Sequence, residues 1–326
     1  QKDYSGFLIK KVVNMGMISV FNYNAGKGDC IRIRYKGISG DYHNIIIDSG
    51  VLSFGTKYAD IARKLEAMGE CIDVAVISHV DNDHLGGLLY NLRSGVHLPI
   101  KEVWMNHGNY INRNVLLSVR QNDELFTRLQ DQSISVKSVT KGNVYELDGA
   151  IFRILWPDDT ALQELFRSRQ ADVLLGRKSD YGYSFSELMD MPIKKQDPSR
   201  NNRASVIMEL EYLGAKMLFT GDAWAEDILQ VAEDGYDLVK LAHHGSVRNI
   251  SEEWGEKIKC NNYMICTDGV MHPDKQTIAK LLKWYGNICI YGATDWWEKM
   301  SKNETMDVCK HVQYEKGEYI WRAEKL

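Results

Sequence analysis

The chain has 326 residues, 44% of them hydrophobic and 26% charged, with a net charge of −4. That length suits one large α/β domain with insertions, and the composition is that of a folded globular protein. The acidic balance argues against a broad basic face for nucleic acid, though not against a local basic groove. No apolar run approaches the ~18 residues that a membrane span requires, and the N-terminus lacks the apolar stretch of a secretory signal. The six cysteines (30, 71, 260, 266, 289 and 309) form no Cys-x-x-Cys pair. They read as reduced thiols, so the expectation is a cytoplasmic protein with no membrane partner. Residues 1–16 are expected to be a leader or appended segment, and 17–326 one domain.

The run MISVFNYNAGKGDCIRIRY predicts a strand, a glycine-rich turn and an alternating strand, and NIIIDSG a short buried strand ending at Asp48. Residues 56–70 have helical spacing, with Ala59, Ile61, Leu65 and Met68 near one face. CIDVAVISHV and HLPIKEVWMN predict strands, and 115–132 a helix. SVKSVTKGNVYELDGAIFRILWP reads as a strand followed by a hairpin around Asp148-Gly149. ASVIMELEYLGAKMLFTGDAW gives two strands joined at Leu213-Gly214, and AEDILQVAEDG a helix. YDLVKLAHHGS and NNYMICTDGV are strands with polar tips. DKQTIAKLLKWYG is a helix started by Asp274, and NICIYGAT follows as a strand. Strand, polar loop and helix alternate, which is α/β grammar. Residues 158–200 break the rhythm and are expected to be an insertion: a lid, a partner surface or a loop.

Polar clusters stand at the C-terminal tips of separate predicted strands: Asp48, His79 to His84, Asp222, His243-His244 and His272. Open α/β sheets place sites at strand ends. In VISHVDNDHLGG, the run His79-x-Asp81-x-Asp83-His84 packs four metal-ligand side chains into six positions. Asp, Glu and His ligate zinc, manganese and iron. Four such neighbours cannot all face one ion. His79 and Asp81 can take one and Asp83 and His84 a second, with Asp222 as the carboxylate between them. Two ions about 3.5–4 Å apart hold a bridging hydroxide and clamp a leaving oxygen. An isolated Asp-x-Asp would also suit a helix start with Asp83 as N-cap, but that reading leaves His79, His84, FTGD and HHGS unexplained.

The pieces NAGKGDCIRI, IIIDSG, SHVDNDHLGG, ILWP, NRASVIMEL, MLFTGDA, VKLAHHGS, and HP followed by a helix and IYGATD, occur in one order across residues 18–295. With them the chain resembles the metallo-β-lactamase fold superfamily. Within it the chain is similar to the ComEC-like branch, named for the hydrolase domain of the bacterial late-competence DNA-uptake protein. The superfamily's usual motif is H-x-H-x-D-H, and the Asp81 variant is similar to that branch. The resemblance implies an αββα sandwich, two mixed sheets flanked by helices, with a binuclear centre at one edge. It implies His79 and Asp81 on the first ion, Asp83 and His84 on the second, Asp222 as the bridge and Asp48 in support behind them. Trp156-Pro157 stands where the third metal motif normally has a histidine, so the first ion lacks one expected ligand. His243 or His244 could supply it; His243 is taken as the ligand and His244 as the acid or a support. His272 fits the last metal motif on the second ion, with a helix start beside Pro273 as its alternative. The carboxylate at position 81 makes the site more oxygen-rich, so two zinc or manganese ions are expected.

Lys240, three residues before His243, and Lys27 in the AGKGD turn could meet a phosphate. Asn202 and Ser205 match the branch's N-x-x-S pattern and could orient the substrate; a solvated lysine, a turn and a strand-end cap are the plainer readings. With Asp83, His244 and Lys240 as catalytic residues, the expected function is a phosphodiesterase or nuclease cleaving DNA. Arg32, Arg34, Arg200 and Arg203 are then candidate backbone contacts. One alternative is a small-molecule hydrolase acting on a phosphoester, cyclic nucleotide, lactam or thioester beneath a 158–200 lid. Another is a partnered effector of a bacterial defence system, docking through that insertion or the aromatic C-terminus (DWWEK, EYIW).

Overall fold

The computed structural model describes residues 17–108, 117–167, 179–193 and 196–324. The expected leader, the start of the 115–132 helix and the middle of the 158–200 insertion lie outside them. The first half of the chain runs β1 (Met17–Asn22), β2 (Ile31–Lys36), β3 (Tyr42–Ile47), α1 (Gly55–Ala67), β4 (Ile72–Val76), α2 (Asn82–Arg93), β5 (Ile100–Trp104), α3 (Leu117–Asp131) and β6 (Ser135–Lys137). Then follow β7 (Val144–Leu147), β8 (Ala150–Trp156), α4 (Asp159–Arg167), α5 (Phe185–Asp190), α6 (Arg200–Arg203), β9 (Ile207–Tyr212), β10 (Ala215–Phe219), α7 (Ala225–Val231) and β11 (Leu238–Lys240). The chain ends with α8 (Trp254–Lys257), β12 (Asn262–Ile265), α9 (Lys275–Tyr285), β13 (Ile288–Gly292), α10 (Lys302–Val308), β14 (Val312–Lys316) and β15 (Tyr319–Glu324).

The strands form two mixed sheets, β15-β1-β2-β3-β4-β5-β6 and β14-β13-β12-β11-β10-β9-β8-β7. Alternation along β2 sends Ile31, Ile33 and Tyr35 into the space between the sheets, where they meet Phe152, Ile154, Met208, Leu210 and Phe219. The outer faces bury a second set. Leu65, Leu88 and Leu125 pack under α1, α2 and α3 on the first sheet, and Ile228, Trp254 and Ile278 under α7, α8 and α9 on the second. This is the four-layer αββα sandwich that the resemblance implied. Both expected hairpins form. Asp148-Gly149 and Leu213-Gly214 each take positive φ (45° and 92°; 48° and 77°), as a two-residue turn between twisted strands requires.

The two ends of the described chain close the structure. β15 pairs antiparallel with β1 in the first sheet, while β14 pairs parallel with β13 in the second. The aromatic Trp296 lies in the core of the second sheet's outer layer, and Trp297 packs edge-on against Tyr314. No helix among the described residues is long and apolar enough to cross a membrane.

The described part of the 158–200 insertion is docked onto α9. Asp274 holds the N-cap position of that helix without a side-chain capping bond. The first N–H groups, of Lys275 and Gln276, donate instead to Asp180 Oδ1 and Oδ2 at 3.1 and 2.8 Å. The buried Lys280 Nζ donates to Met189 O at 3.0 Å and to Glu252 Oε1 at 2.7 Å, and Gln276 Nε2 to Met191 O at 2.8 Å. Asp180 thus caps a helix from another segment, and it meets the positive end of the helix dipole. Asp180→Ala is expected to lower stability by about 1 kcal/mol, read as a fall in the urea midpoint with an unchanged slope; an unchanged midpoint contradicts the assignment.

Candidate metal centre

β3 runs into Asp48, whose backbone is left-handed (φ 59°). That turn carries its carboxylate across to the end of β4. Oδ1 accepts the Ser78 N–H, and Oδ2 accepts Ser78 Oγ–H and His84 Nδ1–H, all at 2.7 Å. A hydrogen held on Nδ1 by a carboxylate leaves Nε2 as the ligating atom and fixes the ring plane. α2 starts directly after His79 and Val80, with Asp81 rather than Asp83 at its N-cap position. Its first turns press against neighbouring backbone. A Cβ on Gly28 would stand 1.8 Å from the Asp83 carbonyl oxygen, and one on Gly87 2.1 Å from that of Ser49. The glycines of AGKGD and HLGG are therefore what lets the ligand-bearing turn sit so close to its neighbours.

Asp222 follows β10, anchored by its N–H to Ser205 Oγ at 3.1 Å. Its Oδ2 lies 3.4 Å from His84 Nε2, 3.6 Å from His244 Nε2 and 4.0 Å from His79 Nε2. One carboxylate oxygen thus faces three imidazoles. After β11 both His243 and His244 take positive φ (48° and 56°), which costs about 1–3 kcal/mol each for residues with a Cβ. The two rings diverge, with 77° between their planes. His244 Nδ1 lies 2.9 Å from Cys266 O and 3.1 Å from Asp29 Oδ1, with Nε2 on the Asp222 side. His243 Nδ1 lies 3.0 Å from Asp197 Oδ2 and 3.1 Å from Asn202 Nδ2.

Ligating atoms of His79, His84 and Asp222 fall within 4.8 Å of one another, as do those of Asp83, His84 and His244, of Asp29, Asp222 and His244, and of Asp29, Asp48 and His84. Burial alone would raise these carboxylates. His244 and His84 overcome it and hold Asp222 well below the usual range, and Lys240 and His244 do the same for Asp29. Asp83 is likewise lowered against its burial by His84, His244 and Lys27. For the imidazoles, burial works downward. Asp222 and Asp48 outweigh it and raise His84 well above its ordinary value, and Asp222 with Asp197 pushes His243 up to about 9.

Several residues stand elsewhere than the sequence suggested. His244 Nε2 lies in the cluster while His243 holds its Nδ1 against Asp197, where the expectation had His243 as the ligand and His244 as the acid or a support. Asp81 is held by Asn201 Nδ2 at 2.6 Å, and its Oδ2 is 3.7 Å from His79 Nε2. It adjoins the cluster without belonging to the groups above. His272 lies at the rim, its ring 5.2 Å from that of His243 and 6.3 Å from that of His244. Trp156 is buried in the core and donates Nε1–H to Arg203 O at 2.6 Å.

Lys240 is 1% exposed and lies beneath the carboxylates, where a substrate phosphate would not reach it. Asn202 and Ser205 are also buried, supporting His243 and Asp222 rather than facing outward. Lys27 does stand exposed, its Nζ 3.5 Å from Asp83 Oδ2. Of the arginines, Arg32 stacks on Phe21, Arg34 pairs with Glu70, Arg203 pairs with Glu164 and Asp227, and Arg200 is exposed at the start of α6. Asp29 and Asp197, which are not among the expected site residues, complete the site. Asp29 is buried beside Lys240, and Asp197, at the end of the insertion, accepts from Asn202 and Asn249 Nδ2 at 2.7 and 3.0 Å. Asp29 was visible in the AGKGD turn; Asp197 had no signal beyond lying in the insertion.

No protein-family model and no curated protein matches the sequence. Among solved structures the chain is similar to the metallo-β-lactamase fold protein YhfI from Bacillus subtilis, at 12% identity over 95% of this chain and 100% of that one, with a TM-score of 0.45. It is similar to zinc-bound PqqB from Methylobacterium extorquens at 11% identity over 95% and 100%, with a TM-score of 0.46. It is also similar to CmlA, a diiron β-hydroxylase from Streptomyces venezuelae, at 12% identity over 94% of this chain and 54% of that one, with a TM-score of 0.44.

The His243 shift carries a sign that can be checked on metal-free protein. A folded-state value of about 9, above the ordinary 6.5, means stability that is complete below pH 6.5 and is lost as pH rises through about 9. Unfolding free energy should fall between those limits, and Asp197→Asn should flatten that fall. A wild-type stability that rises over the window contradicts it.

Proposed function

We propose that the chain is a metal-dependent hydrolase of phosphodiesters, a nuclease of the ComEC-like type acting on DNA with zinc or manganese. One observation carries the metal. His79 Nε2 and His84 Nε2 are buried without a hydrogen-bond partner, within the cluster where His79, His84 and Asp222 offer ligating atoms within 4.8 Å of one another. Buried polar atoms without partners are costly and rare, and imidazole nitrogens with carboxylate oxygens suit these ions. This reading gives His79, His84 and Asp222 to one ion and Asp83 and His244 to the neighbourhood of the second, with Asp81 and His272 at the margin. The ions would supply Lewis-acid polarisation of a phosphoryl oxygen and an activated water.

The remaining work falls to the chain. Asp48 and Ser78 set the His84 ring. His243 Nδ1–H donates to Asp197, whose carboxylate Asn202 Nδ2 also holds, so that His243 Nε2 is the atom to hold or give a proton at the leaving oxygen. Lys27, exposed at the rim beside Asp83, meets the anionic strand. The phosphodiester class rests on that rim cation and on the SHVDNDHLGG variant. Purified protein with manganese or zinc is expected to cleave labelled single-stranded DNA, and Asp83→Ala and His84→Ala to lose at least about a hundredfold. Equal cleavage by wild type and both variants would overturn the reading.

A further inference from the structure

Lys240 ends β11 in the middle of the second sheet, and its ammonium is buried. Its Nζ donates to Gly221 O at 2.7 Å, contacts Asp29 Oδ2 and lies 3.6 Å from Asp222 Oδ1. Gly221 O accepts the hydrogen bond, and the two carboxylate oxygens face the ammonium as ion pairs. Asp29 belongs to the turn before β2 in the first sheet, and Gly221 and Asp222 follow β10 in the second. Lys240 therefore joins the two sheets directly beneath the cluster. Its contacts lie on the far side of the proposed ligands. Gly221 is the residue before Asp222, and Oδ1 is the Asp222 oxygen away from the three histidine Nε2 contacts. Asp29 in turn lies 3.1 Å from His244 Nδ1.

We infer that Lys240 is the positioning residue of the metal centre: a fixed internal cation that sets Asp222 directly and His244 through Asp29, and does not touch substrate. The inference rests on the metal reading above. It also accounts for the charge around the site. Asp29, Asp48, Asp81, Asp83 and Asp222 are five carboxylates against one buried ammonium, and two divalent ions would bring that set to zero. Without Lys240, Asp29 would be a buried carboxylate with only imidazoles beside it, and Asp222 would lose the ion pair on its Oδ1 side.

The test is metal binding by equilibrium dialysis against manganese and against zinc, with metal content measured directly, on wild type, Lys240→Gln and the double variant D29N/K240M. The double variant removes both members of the pair, so neither is left as a lone buried charge; circular dichroism checks that each protein is folded. Wild type is expected to take up two ions. A folded variant is expected to bind about 10–100-fold more weakly or to hold one ion. If wild type binds no divalent ion, the metal reading itself fails. If wild type binds and the folded variants bind with the same affinity and number of ions, the inference fails. It fails in the same way if DNA KM rises while metal content is unchanged, which is what a substrate contact would give. A lower unfolding midpoint of the metal-free variants with unchanged affinity would mark a merely structural lysine and would also overturn it.

Discussion

Five carboxylates converge where the two sheets meet, and most of them have been taken out of water. Asp29, Asp48 and Asp222 are each 3% exposed or less, and like charges so placed repel unless something of opposite sign is set among them. The rest of the local structure answers that constraint. Ser78 and His84 engage Asp48, Lys240 lies against Asp29 and Asp222, and three imidazoles face the remaining Asp222 oxygen. What this leaves over is the buried Nε2 of His79 and of His84, each without a hydrogen-bond partner. The proposed ions would occupy that place.

The arrangement needs both sheets. The first supplies Asp29, Asp48 and the His79–His84 turn; the second supplies Asp222, Lys240 and the two left-handed histidines. No single strand end holds the site: even the His79–His84 turn after β4, with four candidate side chains, needs Asp222 and His244 from the second sheet to close the cluster. The insertion takes part as well. It caps α9 with Asp180, and through Asp197 it fixes His243, which carries no ligand role in the proposed function. A segment that looked like an interruption in the sequence is built into the support of the site.

Much of this was legible beforehand, for physical reasons. The strands alternate or run apolar, the hairpin turns carry Asp-Gly and Leu-Gly, and metal-ligand side chains are rare enough in strand-end loops for their clustering to stand out. What could not be read was direction. Adjacent His243 and His244 differ only by how two left-handed residues turn their rings, and spacing does not encode that. Lys240 looked like a solvent-facing cation because its counter-ion, Asp29, lies more than two hundred residues earlier in the chain. Asn202 and Ser205 fitted a motif, but their burial and their partners in Asp197 and Asp222 depend on the tertiary fold. The last two strands carry no clear apolar alternation, and as edge strands they gain their pairing only from β13 and β1.

The buried imidazole nitrogens that face Asp222 Oδ2, with that carboxylate, are the proposed metal ligands. A crystal of the protein grown with zinc, measured at the zinc absorption edge, tests that assignment most directly. The account predicts anomalous peaks about 2.0–2.2 Å from His79 Nε2, His84 Nε2 and an Asp222 carboxylate oxygen, with His244 rather than His243 facing the same space. Zinc-replete crystals with no peak there, or with ordered water bridging those atoms instead, would contradict it.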